Sequence, residues 1–193
     1  MRTVALTEPD RDVLRKAQRG DERAFSLIVR QYETPIFNYV LRLVGDHHLA
    51  EDLTQEIFVR AFQSLSRFSF RSKFTTWLYT VAKNRVFDET RASRRRPATV
   101  EFEAVRPLAA PELPAERREA MDELWSAIES LDVELKMPML LRDLIGLSYM
   151  EIAESLEITL PTVKWRIYTA RAQVKSALEQ EEAVFRAREA AAV

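Results

Sequence analysis

Aromatic and basic side chains alternate in the segment FSFRSKFTTWLYTVAKNRVFDETRASRRR, Phe68 to Arg96. Aromatic rings stack on unpaired bases, each contributing about 1–3 kcal/mol, while cations follow the phosphates of the strand. The segment therefore predicts binding of single-stranded DNA, and Asn84 is the polar side chain predicted to read a base edge. Part of the pattern is core packing, because Trp77, Leu78 and Val81 recur at helical spacing, and Trp77 is assigned to packing.

A second segment, Leu147 to Leu178, matches a helix-turn-helix in length and pattern. At 100° per residue its second helix has two faces. The predicted buried stripe is Val163, Ile167, Ala170 and Val174, and the opposite face carries Trp165, Tyr168, Thr169 and Ala172. Two aromatics facing water indicate a partner surface. With four cations and no acidic residue between Thr159 and Ala177, the helix predicts docking in a DNA major groove. An amphipathic helix with solvated cations is the alternative.

A third segment, Asp46 to Leu65, concentrates acidic groups on one helix face. The side chains are Glu51, Asp52, Gln55 and Glu56. No Lys or Arg occurs between Asp46 and Arg60, so the face is predicted to dock on a basic protein surface, with a solvated acidic face as the alternative. Paired catalytic carboxylates are a poorer interpretation, since nothing nearby supplies a pocket or a polarising partner.

The composition excludes several classes of chemistry. The 193 residues include no Cys and only 3 Gly, which excludes disulfides, thiolate zinc sites and phosphate-cradling glycine loops. His47 and His48 are adjacent and are expected to diverge, so no metal site is predicted. A net charge of -1 requires any contact with nucleic acid to be local. No catalytic residue, cofactor or membrane segment is predicted, and a soluble cytoplasmic protein is expected.

Helical periodicity predicts an all-α chain of two small domains joined by a Pro-rich linker. The predicted domains are residues 1–96 and the helix-turn-helix domain 116–180, with the linker at 97–115 and a tail at 181–193. The predicted helices before the helix-turn-helix are Glu22 to Leu43, a second helix capped by Asp46, Phe74 to Arg91, Arg117 to Leu131 and Leu135 to Leu144. Pro35 is a candidate kink or break, and Pro138 is tolerated in a first turn.

Taken in chain order, the three segments resemble those of a sigma factor of the extracytoplasmic-function (ECF) class. The motifs that carry the resemblance are AEDLTQEIFVRAF (Ala50 to Phe62), FTTWLYTVAKN (Phe74 to Asn84), LRDLIGLSYMEIAESL and TVKWRIYTAR. Their combination is specific, and the resemblance covers about Gly20 to Leu178.

The resemblance implies a protein without catalytic activity that binds RNA polymerase core, promoter DNA and an anti-sigma factor. The core contacts would be the clamp helices of the largest subunit and the flap of the second-largest subunit. Docking on core is assigned to Glu51, Asp52, Gln55 and Glu56. Capture of the unpaired minus-ten element is assigned to Phe70, Arg71, Lys73, Lys83, Asn84 and Arg85. Reading of the minus-thirty-five duplex is assigned to Thr162, Lys164, Trp165, Arg166, Tyr168 and Thr169.

The chain departs from the family pattern at four places. Ser69 to Ser72 replaces a Gly-containing loop, and Pro161 and Trp165 each stand where a small residue is frequent. Glu157 occupies the turn position that often holds Gly, so either a non-Gly residue adopts positive φ there or the turn has another shape. Two rival functions are a helix-turn-helix repressor or activator that acts without polymerase, and an enzyme on a helical scaffold.

Overall fold

The computed structural model describes residues 7–93 and 115–191, and it contains helices and turns but no strand within those ranges. The all-α prediction is confirmed. The helices are α1 (Arg11–Gln18), α2 (Glu22–Val44), α3 (His47–Ser64), α4 (Phe74–Ser93), α5 (Ala115–Glu129), α6 (Val133–Asp143), α7 (Tyr149–Leu156) and α8 (Leu160–Ala191). All but the last residue of the predicted linker lies outside the described residues. None of the helices in these ranges is long and apolar enough to span a bilayer.

Helices α1 to α4 form the first packed unit. Its centre consists of side chains that are fully buried between α2, α3 and α4, among them Tyr32, Ile36, Leu53, Ile57 and Leu78. The rings of Tyr39 and Tyr79 meet edge to face with centroids 5.1 Å apart. These apolar positions recur every three or four residues along each helix, so each helix presents one stripe to the shared core.

Pro35 does not break α2, which runs unbroken from Glu22 to Val44. Proline removes one backbone donor and its ring crowds the preceding turn. Here Tyr32 and Ile36 on either side of Pro35 are completely buried. Packing on both sides of the proline therefore holds the helix together, and of the two candidates, a kink or a break, the break does not occur.

The chain before α2 contains a helix that the sequence analysis did not predict. Asp10 caps α1 by accepting a hydrogen bond from the backbone N–H of Asp12 at 2.8 Å. Gln18, at the end of α1, donates from Nε2 to the carbonyls of Leu65 and Phe68 at 3.0 and 2.7 Å. This N-terminal helix thus fastens the loop that leads into α4.

Helices α5 to α8 form the second unit, in which α7 and α8 make the predicted helix-turn-helix. The predicted stripe of α8 is confirmed as core, since Val163, Ile167, Ala170 and Val174 are all buried. Pro138 lies past the first turn of α6, because that helix begins at Val133 rather than Leu135. Helix α8 continues through the predicted tail as far as Ala191.

The two units pack against each other in the structure. The guanidinium of Arg42 in α2 stacks on the ring of Trp125 in α5, with its carbon 3.6 Å from the ring centroid. Arg42 also lies 3.8 Å from a carboxylate oxygen of Glu129. The second contact is between α4 and α7, where side chains of the predicted minus-ten set meet the helix-turn-helix.

Candidate nucleic-acid interface

The start of α4 is capped by a residue from the far N-terminal side of the chain. The Glu8 carboxylate accepts hydrogen bonds from the backbone N–H groups of Phe74 at 2.8 Å and Thr75 at 3.0 Å, and from the Thr75 hydroxyl. A carboxylate at a helix N-terminus satisfies unpaired N–H groups and favours the helix dipole. Glu8 therefore fixes the residue at which α4 begins after the loop that contains Phe68 and Phe70.

The loop before α4 places Phe70 in a left-handed backbone conformation. Its φ is 56°, which is uncommon for a bulky residue. The ring packs on Phe68, with centroids 4.9 Å apart, and the Arg11 guanidinium lies 5.5 Å from its centroid. Phe70 is therefore half-buried rather than presented as a free stacking surface, while its neighbour Arg71 is exposed.

The other predicted minus-ten residues differ in exposure. Asn84 is exposed, and so is Lys73, whereas Lys83 and Arg85 are only 5% and 9% exposed. Lys83 and Arg85 are the neighbours of Asn84 in the sequence of α4, and their side chains are covered by other helices. The six residues therefore do not form one open surface in this arrangement.

Arg85 connects the predicted minus-ten set to the predicted core-docking set. Its Nε lies 2.5 Å from Glu56 Oε2, and its Nη2 lies 2.9 Å from Glu89 Oε2. The hydrogen bond from Arg85 holds the pKa of the Glu56 carboxyl below its ordinary value, and the same bond raises the pKa of Arg85. The sequence analysis treated the acidic face as free of cations, and this is corrected here because α4 supplies one from 29 residues away.

Three polar pairs join α4 and its preceding residue to α7 and its following turn, and we call them the seam. Lys73 Nζ lies 2.7 Å from Glu151 Oε1, and Lys83 Nζ lies 3.4 Å from Glu157 Oε2. Between them the hydroxyls of Thr80 and Ser155 are 3.4 Å apart. Hydrogen bonding to Glu151 raises the pKa of Lys73.

The acidic face of α3, formed by Glu51, Asp52, Gln55 and Glu56, is exposed as predicted. A shallow groove runs along its side and is lined by Asp52, Gln55, Glu56, Val59, Arg60 and Gln63. Val59 is 55% exposed within it. The groove thus brings together two carboxylates, Arg60 and one apolar side chain, and protein interfaces combine such groups.

His47 and His48 converge on one carboxylate, against the expectation that adjacent side chains diverge. Their Nδ1 atoms lie 3.6 and 3.8 Å from the two oxygens of Glu51. The reason is that the two residues occupy the first turn of α3, where Glu51 is four and three positions further along. All three side chains are exposed.

The helix-turn-helix is shaped by a capping box and a left-handed turn. Ser148 accepts a hydrogen bond from the backbone N–H of Glu151, and the Glu151 carboxylate accepts one from the N–H of Ser148 at 2.7 Å. Glu157 ends α7 with φ 57°. The expectation of a non-Gly residue at positive φ is confirmed, and its backbone N–H closes the turn on carbonyls of α7.

Helix α8 presents its predicted reading face to solvent. Trp165 is 61% exposed and Tyr168 is 76% exposed, and Lys164 beside them is also exposed. Thr162 and Thr169 are half-buried at the edges of this face. Arg166 forms an ion pair within the protein, since its Nη2 lies 2.5 Å from Glu134 Oε2 on α6.

The sequence analysis missed two apolar side chains on these surfaces. Val59 on α3 and Met150 on α7, which is 66% exposed, lie off the buried stripes of their helices. For Val59 the signal was available, because it falls between Ile57 and Ala61 and so faces away from that stripe. A single exposed apolar side chain is ordinary on a protein surface, so it is the place of Val59 in the groove beside Asp52 and Glu56 that connects it with the acidic face.

Family models match both units of the chain. The Sigma-70 region 2 model matches residues 28–96, which contain α3 and α4. The Sigma-70, region 4 model matches residues 121–174, which contain the helix-turn-helix. The two matches fall on the elements that carry the predicted polymerase and DNA surfaces.

Two relatives match the chain over most of its length and most of theirs. The chain is 35% identical over 183 residues to RNA polymerase sigma-H factor of Pseudomonas aeruginosa, covering 89% of this chain and 95% of the relative. It is 32% identical to the ECF RNA polymerase sigma-E factor of Escherichia coli, covering 88% and 94%.

Solved structures have the same fold. CnrH in complex with the cytosolic domain of CnrY superposes with a TM-score of 0.67 at 24% identity, covering 89% of this chain and 97% of that one. The sigma factor RpoE of Bartonella quintana, in complex with the anti-sigma factor NepR, gives a TM-score of 0.68 at 21% identity, covering 80% and 96%. On these matches, the chain belongs to the ECF class of RNA polymerase sigma factors, a family of non-enzymatic transcription initiation factors.

Proposed function

We propose that this sigma factor binds RNA polymerase core through the acidic face of α3 and reads a promoter at two places. The loop before α4 and α4 itself would hold the unpaired minus-ten strand. The exposed face of α8 would lie in the major groove of the minus-thirty-five duplex. The site of action would be the cytoplasm, where the polymerase is.

The exposed aromatic face of α8 is the observation that carries this proposal. Trp165 and Tyr168 project from the second helix of a helix-turn-helix whose opposite face is core. Exposing two large aromatic side chains to water is unfavourable without a partner. A thymine methyl and the neighbouring sugar-phosphate backbone offer apolar and anionic contact, which suits these rings beside Lys164.

The acidic face supports docking on polymerase. Two carboxylates of α3, those of Asp52 and Glu56, line a groove that also contains the exposed Val59, and charged and apolar side chains occur together in this way at protein interfaces. The partner of matching charge would be the basic clamp helices of the largest subunit, and the helix-turn-helix unit would contact the flap of the second-largest subunit. Like-charge repulsion along α3 is relieved when a basic surface docks.

Melting would follow from binding rather than from hydrolysis. Each base-pair step opened costs on average about 1.4 kcal/mol, and a base stacked on an aromatic ring returns about 1–3 kcal/mol. Capture of one or two bases on aromatic rings would therefore bias melting without an enzymatic step. Control by an anti-sigma factor, the arrangement in the RpoE and NepR complex, is proposed for this chain too.

Transcription with purified components tests the function. Core polymerase of the host bacterium is mixed with fragmented genomic DNA, with and without this chain, and the 5′ ends of the transcripts are sequenced. The proposal expects a discrete set of new start sites that share two upstream motifs. Start sites identical with and without the chain would refute it.

A pair of variants tests the division of labour. Asp52→Lys is expected to abolish co-elution with core, because it inverts charge at the centre of the acidic face, while Trp165→Ala keeps core binding and loses start-site selection. Asp52 is substituted rather than Glu56 because the Glu56 carboxylate also pairs with Arg85, and a change there would disturb that ion pair as well. Glu33→Lys on exposed α2 surface is the matched charge control. Equal loss of core binding by Asp52→Lys and Trp165→Ala would contradict the assignment.

A repressor or activator that acts without polymerase is the rival function. Such a protein would bind its operator duplex tightly by itself, and the acidic face of α3 would have no role. An electrophoretic mobility shift with the start-site fragments separates the two functions. We expect a shift that requires core polymerase, and a shift of equal strength with the chain alone would favour the rival.

A further inference from the structure

The start of α3 brings the only two histidines of the chain to one carboxylate. His47 Nδ1 lies 3.6 Å from one oxygen of Glu51, and His48 Nδ1 lies 3.8 Å from the other. One donor atom from each of the three side chains lies within 4.8 Å of the other two. Since the chain has no Cys, no thiolate elsewhere competes with this cluster for a metal ion.

The spacing of these donors suits a transition metal ion. Two His and one Glu are a known set of protein ligands for Zn²⁺, with water in the fourth position. Bonds of about 2.0–2.2 Å at tetrahedral angles place the donors about 3.3–3.6 Å apart. The observed separations of 3.6 and 3.8 Å lie at or slightly beyond this range. All three side chains are exposed, so small rotations suffice to close the set around an ion.

Two contacts hold the cluster in place. The Asp46 side chain caps α3 by accepting a hydrogen bond from the backbone N–H of Leu49 at 2.9 Å. This cap fixes the first turn, and its carboxylate offsets the positive end of the helix dipole. The His47 ring meets Phe37 of α2 edge to face, with centroids 5.2 Å apart. The backbone of the cluster and one of its imidazoles are therefore positioned before a metal ion binds.

The pairing of Glu51 differs from that of Glu56 on the same face. Among the residues that the structure describes, Glu51 forms ion pairs with the two histidines alone, whereas Glu56 pairs with Arg85. A divalent cation at Glu51 more than neutralises the single carboxylate, so it inverts the charge at this end of the acidic face. Because that face is proposed to dock on a basic surface, the bound ion opposes docking.

We propose that His47, His48 and Glu51 form a zinc site, and that Zn²⁺ bound there weakens the docking of the chain on RNA polymerase core. The second part rests on the proposed function, because it takes the acidic face of α3 to be the core-binding surface. Imidazole ligands favour Zn²⁺ over Mg²⁺ and Ca²⁺, which prefer sets of oxygen ligands. The site thus responds to a rise in free zinc and not to magnesium.

Isothermal titration calorimetry with zinc chloride tests the site. The chain is used without a polyhistidine tag, so that its own imidazoles are the only ones present. We expect one Zn²⁺ per chain and no binding of magnesium chloride. His47→Gln and His48→Gln should each bind zinc about 10- to 100-fold more weakly, since loss of a group that merely orients a ligand already costs this much. Glu33→Gln, an exposed position of α2, is the control and should bind zinc no differently from wild type.

NMR of the imidazole nitrogens identifies the ligands. Both histidines of the chain belong to the cluster, so a long-range proton–nitrogen spectrum contains the signals of these two rings only. Zinc should shift one nitrogen resonance of each ring, because coordination replaces the lone pair of that atom. Unshifted rings, or zinc binding of equal strength in wild type and both histidine variants, would overturn the zinc site and leave the proposed function intact.

Core binding at two zinc concentrations tests the second part. The affinity of the chain, labelled at its N-terminus with a fluorophore, is measured for purified core by anisotropy, without added zinc and with zinc that saturates the site. Wild type should lose about fivefold or more in affinity, the lower end of ordinary coupling between two sites. His48→Gln should bind core as wild type does without zinc, and equally well with it.

The outcomes separate this inference from the function on which it rests. A zinc effect in wild type that His48→Gln lacks supports the proposal. An equal loss in both proteins, or no loss in either, overturns the effect of zinc on docking, because the cluster would then have no part in it. Failure of wild type to bind core without zinc refutes the proposed function instead.

Discussion

Glu8 shows how a single distant residue organises the proposed strand-binding loop. Its carboxylate binds two backbone N–H groups at the start of α4, 66 and 67 residues away in sequence. Nearby, the Tyr32 hydroxyl donates to the Thr7 carbonyl at 2.9 Å. The N-terminal segment is therefore clamped between α2 and α4, and the geometry of the loop depends on it.

Glu8→Ala is expected to destabilise the first unit. Loss of a capping carboxylate costs about 0.5–2 kcal/mol, and the effect should appear as a lower urea midpoint with an unchanged slope. Glu33→Ala, an exposed position in α2, is the control and should leave the midpoint close to that of wild type. A Glu8→Ala midpoint equal to that of wild type would show that the cap contributes nothing.

Glu151 gives the seam a dependence on pH. Burial alone raises the pKa of this carboxyl, but hydrogen bonds from Lys73 and Ser148 outweigh burial and leave the pKa below its ordinary value. A carboxyl of lowered pKa stabilises the folded state above its ordinary pKa, and that stability is lost as pH falls through the lowered value. The contact is therefore expected to be complete at neutral pH and to weaken under acid conditions.

Carbon-13 NMR titration of Glu151 checks this sign. In Lys73→Met the pKa of Glu151 should rise, because the largest favourable contact of the ionised carboxylate is removed while burial remains. Lys175→Met is the control, since Lys175 lies 3.6 Å from Glu179 on α8. A Glu151 titration that is identical in wild type and Lys73→Met would show that the two groups do not interact in solution.

Features of the site that depend on a local sequence pattern could be predicted, whereas pairs of residues far apart in the sequence could not. The positive φ at Glu157 followed from its place in the turn, where Gly is frequent. The pair between Arg85 and Glu56 spans 29 residues and depends on how α3 and α4 pack, so no local pattern indicates it. The same limit applies to Glu8, whose partners at the start of α4 lie beyond the three helices α1, α2 and α3.

Helix α8 combines a core face and a recognition face in one element. Ile167 is 1% exposed and Trp165, two residues earlier, is 61% exposed. A spacing of two residues turns a helix by about 200°, so the two side chains point to opposite sides. Stability and recognition can therefore be changed separately on this helix.

Alanine variants at these two positions should separate the effects. Ile167→Ala is expected to cost about 2–5 kcal/mol of unfolding free energy, because it leaves a cavity in the core. Trp165→Ala should leave the unfolding free energy nearly unchanged and lower start-site selection by the holoenzyme. Urea denaturation and transcription are the measurements. A large stability loss in Trp165→Ala would show that its ring packs on the protein.

At the level of elements, the periodic helices were predicted and their irregular points were not. The buried stripe of α8 was correct because four apolar residues recur at helical spacing. The break considered at Pro35 did not occur, because buried Tyr32 and Ile36 hold both sides of α2. Helix α1 was missed, because its buried residues Leu14 and Ala17 are too few to form a clear stripe.

At the scale of the whole molecule, the described residues of the two units meet at several places. One is the seam, and another is Arg42 of α2 stacked on Trp125 of α5 at 3.6 Å. A guanidinium over a tryptophan ring contributes about 0.5–2 kcal/mol, depending on burial. Burial lowers the pKa of Arg42, and the neighbouring Glu129 acts in the opposite direction.

Arg42→Ala should loosen the packing of the two units. Small-angle X-ray scattering of the free chain is expected to give a larger radius of gyration than wild type, because one of the contacts between the units is lost. Arg30→Ala, an exposed position of the same helix, is the control and should scatter as wild type does. A radius of gyration unchanged by Arg42→Ala would show that the remaining contacts keep the units together.

The position of Thr80 against Ser155 also decides what a melting curve of this protein reports. Any small molecule that binds at that junction while the two units are in contact raises the melting temperature of the isolated chain. The same molecule would hold the second unit on the first, because it touches both of them. A search for compounds that make the purified chain more heat-resistant would thus also select ligands that bridge the two units.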